Sequence, residues 1–105
     1  MTREELYEKA RLLPLTPGVY IMHSKSGKVI YVGKSKALRN RVSSYFAPYA
    51  DHHGKTRRMV DSVDDFEVYF TATELEALLQ ENQFIKQFQP RYNIKLKDGG
   101  GYPYI

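Results

Sequence analysis

Six side chains in this 105-residue sequence have the types and spacings that chemistry needs: Tyr20, Tyr31, Lys34, Arg41, Tyr45 and Glu81. The first five are three phenols and two cations, a set that suits contact with phosphates and bases. The formal net charge of +4 permits a phosphate-rich partner without requiring one. Glu81 is the anomaly. Its neighbours at i−4, i−3, i+3 and i+4 are Ala77, Leu78, Phe84 and Ile85, all apolar. A carboxylate in that frame loses hydration, which is costly unless a cation or hydrogen bonds compensate. Two partners would serve: a lysine or arginine from elsewhere in the chain, or a divalent cation. Glu74 and Glu76, by contrast, have an ordinary place at a helix N-terminus. The chain has no cysteine, which excludes disulfides and Cys-ligated zinc.

Positioning these side chains takes a hairpin and two helices. Gly18-Val19-Tyr20 and Val29-Ile30-Tyr31-Val32-Gly33 are β-rich runs on either side of the turn-forming Ser24-Lys25-Ser26-Gly27. With those four residues as the loop, Tyr20 falls directly opposite Tyr31 on one face. A one-residue slip would send the two phenols to opposite faces. The segment after Gly33 reads as a helix. Lys34, Arg41 and Tyr45, seven and eleven residues apart, then share a narrow stripe, and Leu38, Val42 and Phe46 form an adjoining apolar stripe that docks on the sheet. Arg39 and Asn40 point elsewhere, so the periodicity favours Arg41 over Arg39 as the arginine beside the hairpin. Two readings stay open: phenols and cations converging at the mouth of a small sheet, or a basic helix with a solvated face above two core tyrosines.

Elsewhere, Thr2-Arg3-Glu4-Glu5 fits a capping box opening a first helix, which carries Leu6, Tyr7, Ala10 and Leu13 and is stopped by Pro14. His23 reads as a polar surface residue at a strand end. His52-His53-Gly54 reads as an exposed polar turn, since no metal-binding partner sits at i+4. The cations of Lys55-Thr56-Arg57-Arg58 then touch phosphates or form a solvated face, while Met59, Val60 and Val63 pack inward. Asp65 to Thr71 alternates, with Phe66, Val68 and Phe70 on one side, which predicts a third, half-buried strand. Thr73-Glu74-Leu75-Glu76 is a second capping box, opening a helix over about Glu74 to Phe88 that Pro90 ends. Gly33-Lys34-Ser35 resembles the tail of a P-loop, but Lys28 stands where the first glycine belongs, which rejects a nucleotide triphosphatase. No apolar run is long enough to span a membrane and no signal peptide is visible. The expectation is one cytosolic domain, cut from a longer chain or at a domain edge after Gly99-Gly100-Gly101 and Tyr102-Pro103-Tyr104-Ile105.

Gly18-Val19-Tyr20 followed by Tyr31-Val32-Gly33 resembles the signature of the GIY-YIG nuclease family, with Val in place of Ile twice. The resemblance continues through Lys34, Arg41, Tyr45 and Glu81-Asn82-Gln83-Phe84-Ile85-Lys86. Pro90-Arg91-Tyr92-Asn93 and Tyr102-Pro103-Tyr104-Ile105 are similar in particular to the N-terminal nuclease domain of the bacterial UvrC excinuclease family. Almost the whole chain is covered, and the glycine run before Tyr102 is the departure. The resemblance implies an α+β fold, a small three-stranded antiparallel sheet flanked by helices, in agreement with strands read at about 18–23, 28–33 and 65–71.

The reaction so implied is metal-dependent hydrolysis of one DNA phosphodiester, the incision on the 3′ side of a lesion in nucleotide excision repair. Glu81 would hold one Mg²⁺ or Mn²⁺, completed by waters and a phosphate oxygen. Tyr31 would be the general base, helped by Lys34 at the start of the next helix, because a free phenol pKa near 10 is too high for neutral pH. Arg41 would clamp the scissile phosphate. Tyr20 and Tyr45 would orient water and phosphate, and Asn93 would brace the site or contact DNA. Lys34, Lys36, Arg39, Arg41, Lys55, Arg57 and Arg58 are the candidate DNA contacts. The implied partners are double-stranded DNA containing a lesion and a UvrB-type repair protein, the latter reached through segments beyond Ile105. The domain is expected to be monomeric and to work in the bacterial cytoplasm. Competing readings are a non-catalytic DNA-binding module, a protein-docking fragment and a free-standing repair nuclease. A homing-endonuclease type is a further alternative, against which the tail argues.

Overall fold

A computed structural model describes residues 1–93, and the glycine run and Tyr102 to Ile105 lie outside the described residues. The Val-, Ile- and Tyr-rich runs form one antiparallel sheet of β1 (Gly18–His23), β2 (Val29–Ser35) and β3 (Asp65–Phe70) in the order β2-β1-β3. Around it stand α1 (Arg3–Arg11), α2 (Leu38–Phe46), α3 (Gly54–Ser62) and α4 (Glu74–Phe88). This is the expected α+β arrangement. Among the described residues no helix is long and apolar enough to cross a membrane.

The hairpin register differs from expectation. Tyr20 pairs with Gly33, and Met22 pairs with Tyr31. Two one-residue changes produce this shift. The connection runs over residues 24–28, closed by the Ser24 N–H donating to the Lys28 carbonyl at 2.9 Å, with Gly27 at φ 83°. A bulge follows: His23 pairs with Val29 and Met22 with Tyr31, leaving Ile30 as an extra residue. Either change alone would turn Tyr31 to the other face, and the two together restore it, diagonal to Tyr20.

Gly18 and Gly33 are required for space and not for backbone freedom. A Cβ on Gly33 would lie 2.3 Å from both Cζ and Oη of Tyr20. One on Gly18 would lie 2.5 Å from the Tyr69 carbonyl oxygen and 2.6 Å from Cδ1 of Leu38. The glycines of the signature therefore mark where a ring and a helix press on the hairpin.

The chain after Gly33 is strand before it is helix. Lys34 pairs with Val19 and Ser35 with Gly18. α2 begins only at Leu38, where the N–H groups of Leu38 and Arg39 donate to the carbonyls of Thr16 and Pro14 at 3.1 and 3.2 Å. These bonds satisfy two donors that a helix start leaves open. Lys34 is thus a strand residue, contrary to its expected place on the helix.

The two sheet faces bury different sets. Tyr20, Met22, Ile30 and Phe66 pack with Leu6 and Ala10 of α1, Leu38, Val42 and Phe46 of α2, and Met59 and Val60 of α3. Each large apolar side chain so buried contributes about 1.5–3 kcal/mol. Val19, Ile21 and Val32 pack on the opposite face against Ala77 of α4, with Phe84 and Ile85 beside it. β3 is half-buried as expected: Phe66 is buried, Val68 intermediate and Phe70 exposed. The Thr2–Glu5 box is complete. At α4, Thr73 accepts from the Glu76 N–H at 3.1 Å, but the Glu76 carboxylate takes the N–H of Ala72 at 2.7 Å. The reciprocal bond of the second box is thus displaced by one residue. Gln89, left-handed at φ 46°, ends α4 ahead of Pro90.

Asn93 closes the outer side of β2. Its Oδ1 accepts from the Val32 N–H at 2.7 Å and its Nδ2 donates to the Val32 carbonyl at 2.8 Å, with the residue 5% exposed. On the other side of the sheet, Lys9 donates to Asp65 Oδ1 and to the Phe66 carbonyl, both at 2.7 Å, joining α1 to β3.

Asn93→Ala strands a buried donor and a buried acceptor, at about 1–3 kcal/mol each. Urea denaturation should show a loss of about 2–4 kcal/mol, and hydrogen exchange should show a faster Val32 amide. An unchanged urea midpoint would contradict the clamp. Burial raises the Asp65 pKa, but the Lys9 and Phe66 hydrogen bonds outweigh it and leave the pKa lowered. Stability from a lowered carboxyl pKa is present above the unfolded value and lost as pH falls through the folded one. Asp65→Asn should therefore lower Tm at neutral pH, with the difference narrowing below about pH 3.9.

Candidate active site

Tyr20 stands at the centre of the sheet and is 1% exposed. A hydroxyl buried that deeply needs a partner. It lies 2.8 Å from the hydroxyl of Tyr45, and Nε of Arg41 donates to it at 3.3 Å. The Tyr20 ring is 5.8 Å from that of Tyr45 and 6.2 Å from that of Tyr31, and Cζ of Arg41 lies 5.2 Å from the centre of the Tyr45 ring. Arg41 and Tyr45 are four residues apart on α2, so they share a face while Leu38, Val42 and Phe46 anchor the helix in the core. The convergence holds for the phenols and Arg41 but not for Lys34, and the tyrosines that meet this one cation are also packed in the core.

The electrostatics follow from burial. Tyr31 has its pKa pushed well above the ordinary phenol value, chiefly by burial and then by Tyr45, with Arg41 opposing and Glu81 adding to the rise. Tyr20 is raised too, by burial first and then by its neighbouring phenols. Arg41 is raised by its bond to Tyr20 and stays charged at any ordinary pH. This arrangement therefore holds protonated phenols around a permanent cation.

Glu81 sits midway along α4, half-buried, within electrostatic reach of Tyr31. Ala77, Phe84 and Ile85 turn toward the sheet, whereas Leu78 is 38% exposed, so the apolar frame is open on one side. Among the described residues no group of three His, Cys, Asp or Glu side chains could cage a metal. One carboxylate with room for water and phosphate oxygens is, however, the donor set Mg²⁺ commonly accepts.

Lys34 does not join the stripe of Arg41 and Tyr45. Its pairing with Val19 puts it on the sheet face that α4 covers, where it is exposed. Lys36 is exposed in the turn before α2. Arg39 is turned away as expected, its Nε donating to the Leu13 carbonyl at 2.7 Å. Lys55, Arg57 and Arg58 are exposed on α3, with Arg57 3.8 Å from Asp61. α3 has no side-chain cap and no acidic residue in its first turn, unlike α1 and α4, which carry glutamates there. Asn93 braces Val32, next to Tyr31 on the same strand.

Two histidines are better placed than the sequence suggests. His23 is half-buried with Nε2 2.7 Å from Glu67 Oε2. His52, expected as an exposed polar turn, is half-buried with its ring 6.0 Å from that of Tyr45. Its Nε2 donates to the Tyr45 carbonyl at 3.1 Å. The link spans an irregular loop, where no periodicity signals it.

The family model for the UvrC-like GIY-YIG domain matches residues 16–94. The UvrABC system protein C of Pelodictyon phaeoclathratiforme is 52% identical over 103 residues, 98% of this chain. That of Moorella thermoacetica is 54% identical over 101 residues, 96% of this chain. The chain spans 16% of the length of each of these relatives. Among solved structures, the GIY-YIG N-terminal endonuclease domain of UvrC from Thermotoga maritima, bound to its catalytic magnesium, superposes with a TM-score of 0.75. It shares 38% identity, and the match covers 88% of this chain and 98% of that one. With the hairpin, α2 and α4 carrying the tyrosines, Arg41 and Glu81 as described, the chain belongs to the UvrC-like GIY-YIG domain family.

Proposed function

We propose that this chain is the nuclease domain of a longer excision-repair protein and that it hydrolyses one DNA phosphodiester on the 3′ side of a lesion. The observation that carries this reading is the junction of three phenols and Arg41, with a half-buried carboxylate from another element in electrostatic reach. Arg41 binds the phosphate. Its Nε is committed to Tyr20 and its face to the Tyr45 ring, which fixes the guanidinium plane and leaves its other nitrogens to donate to a phosphate. The charge developing on that phosphate is stabilised by a cation already held in place.

Tyr31 is the proton acceptor for the attacking water, and Tyr20 and Tyr45 orient water and phosphate. To do so Tyr31 first gives its own proton to solvent; its raised pKa means that the phenolate forms only with added positive charge nearby, and Arg41 is the cation in this structure that opposes the rise. Lys34 does not supply that charge from the helix stripe, being a strand residue on the face α4 covers. Glu81 would hold one divalent cation, Mg²⁺ or Mn²⁺, as the Thermotoga domain holds magnesium. Such an ion supplies positive charge that lowers the pKa of bound water and neutralises phosphate. Lys34, Lys36, Arg39, Lys55, Arg57 and Arg58 contact the DNA backbone, with Arg39 the most constrained by its bond to Leu13. Lesion-bearing double-stranded DNA is the substrate. A UvrB-type protein is the partner, engaged by the rest of the full-length protein in the bacterial cytoplasm. The domain itself acts as a monomer.

The test is a nicking assay on lesion-bearing duplex with the full-length protein. Tyr31→Phe and Glu81→Gln should each lose about 10²–10⁴-fold in rate with the fold intact. Arg41→Ala should lose more in rate than in DNA affinity. Glu81→Gln nicking at the parental rate would turn the reading to a DNA-binding module. Affinity for duplex should also fall with added salt, with a log–log slope of about −0.9 for each phosphate neutralised. A flat salt response would contradict phosphate-dominated binding.

A further inference from the structure

Tyr45 is the hub of the phenol cluster: its hydroxyl meets Tyr20 at 2.8 Å and its ring lies under Arg41. It is also the penultimate residue of α2, where helical carbonyls run out of intrahelical donors. Ala47 leaves the helix with extended backbone (φ −59°, ψ 141°), and Pro48 has no N–H to offer. The Tyr45 carbonyl is taken instead by His52 from the loop before α3, at 3.1 Å. A carbonyl only accepts, so Nε2 of His52 carries the proton. The same imidazole lies against the Tyr45 ring, centres 6.0 Å apart and planes tilted by 37°. One side chain thus holds Tyr45 at both its backbone and its ring.

We infer that His52 is a positioning residue for the Tyr45–Tyr20–Arg41 cluster, acting through its hydrogen bond to the Tyr45 carbonyl. This rests on the nuclease reading above and deepens it. Tyr45 is 4% exposed and its neighbour Phe46 stacks on Phe66 with ring centres 6.0 Å apart, so the end of α2 keeps its core anchor without His52. What His52 adds is the angle at which the Tyr45 phenol meets Tyr20 and Arg41. Small misplacements of such groups cost rate far more than they cost stability or binding.

The test compares His52→Ala with His52→Phe, which keeps an aromatic ring and loses the N–H. The first readout needs no DNA: the Cζ resonance of Tyr45 in the ¹³C-tyrosine-labelled chain, assigned with Tyr45→Phe. The second is single-turnover nicking and DNA affinity of the full-length protein. Both His52 variants should move the Tyr45 resonance, slow nicking about tenfold or more, and leave DNA affinity within about twofold. An unmoved resonance in His52→Phe would overturn the inference, as would affinity falling in step with rate, which would make His52 a DNA contact. If His52→Ala does not fold, His52→Phe decides. A parental protein that does not nick would defeat the nuclease reading, and the resonance would still decide the role of His52.

Discussion

The packing of the Tyr20 ring onto Gly33 is the constraint on which the rest of the site depends. A phenol buried at the centre of a small sheet needs a floor without a Cβ and a partner for its hydroxyl. Gly33 supplies the first, since any larger residue would meet the ring at 2.3 Å. Tyr45 and Arg41 supply the second. The hairpin register must therefore bring Gly33, and not Tyr31, opposite Tyr20. That register leaves Tyr31 diagonal to Tyr20, with their ring centres 6.2 Å apart. Core packing and site assembly are here one event, because the same ring fills the interior and presents the hydroxyl that orients Arg41.

Charge is distributed to match. The cation is tethered at one nitrogen and one face, which restricts the freedom of its side chain. The phenols are kept neutral by burial, while the carboxylate comes from a helix packed on the opposite face of the sheet. Anion and cation are therefore carried by separate helices, each fixed to the sheet by apolar contacts.

Much of this was legible in the residues. Helical period alone separated Arg41 from Arg39, and alternation found β3, because both signals are local and repeat. The bounds of α4 followed from a cap at Thr73 and Pro90. The register of the hairpin did not follow, since a five-residue connection and a bulge at Ile30 carry no compositional mark that distinguishes them from a four-residue loop. Lys34 was misplaced for a related reason: backbone pairing with Val19 outweighs the helical spacing its neighbours suggest. His52 and Asn93 act on backbone groups far away in sequence, Asn93 on Val32 61 residues earlier. Such side-chain-to-backbone bonds leave no periodic trace. The contacts of Asn93 with Val32 come from the structure alone.

Asn93 has a consequence beyond holding Val32 in place. β2 is an outer strand, and an outer strand with free N–H and C=O groups is a template on which strands of other molecules can add. The Asn93 amide copies the donor and acceptor pair of a neighbouring strand but has no chain direction in which to continue it. Among the described residues it therefore ends the sheet beside Tyr31.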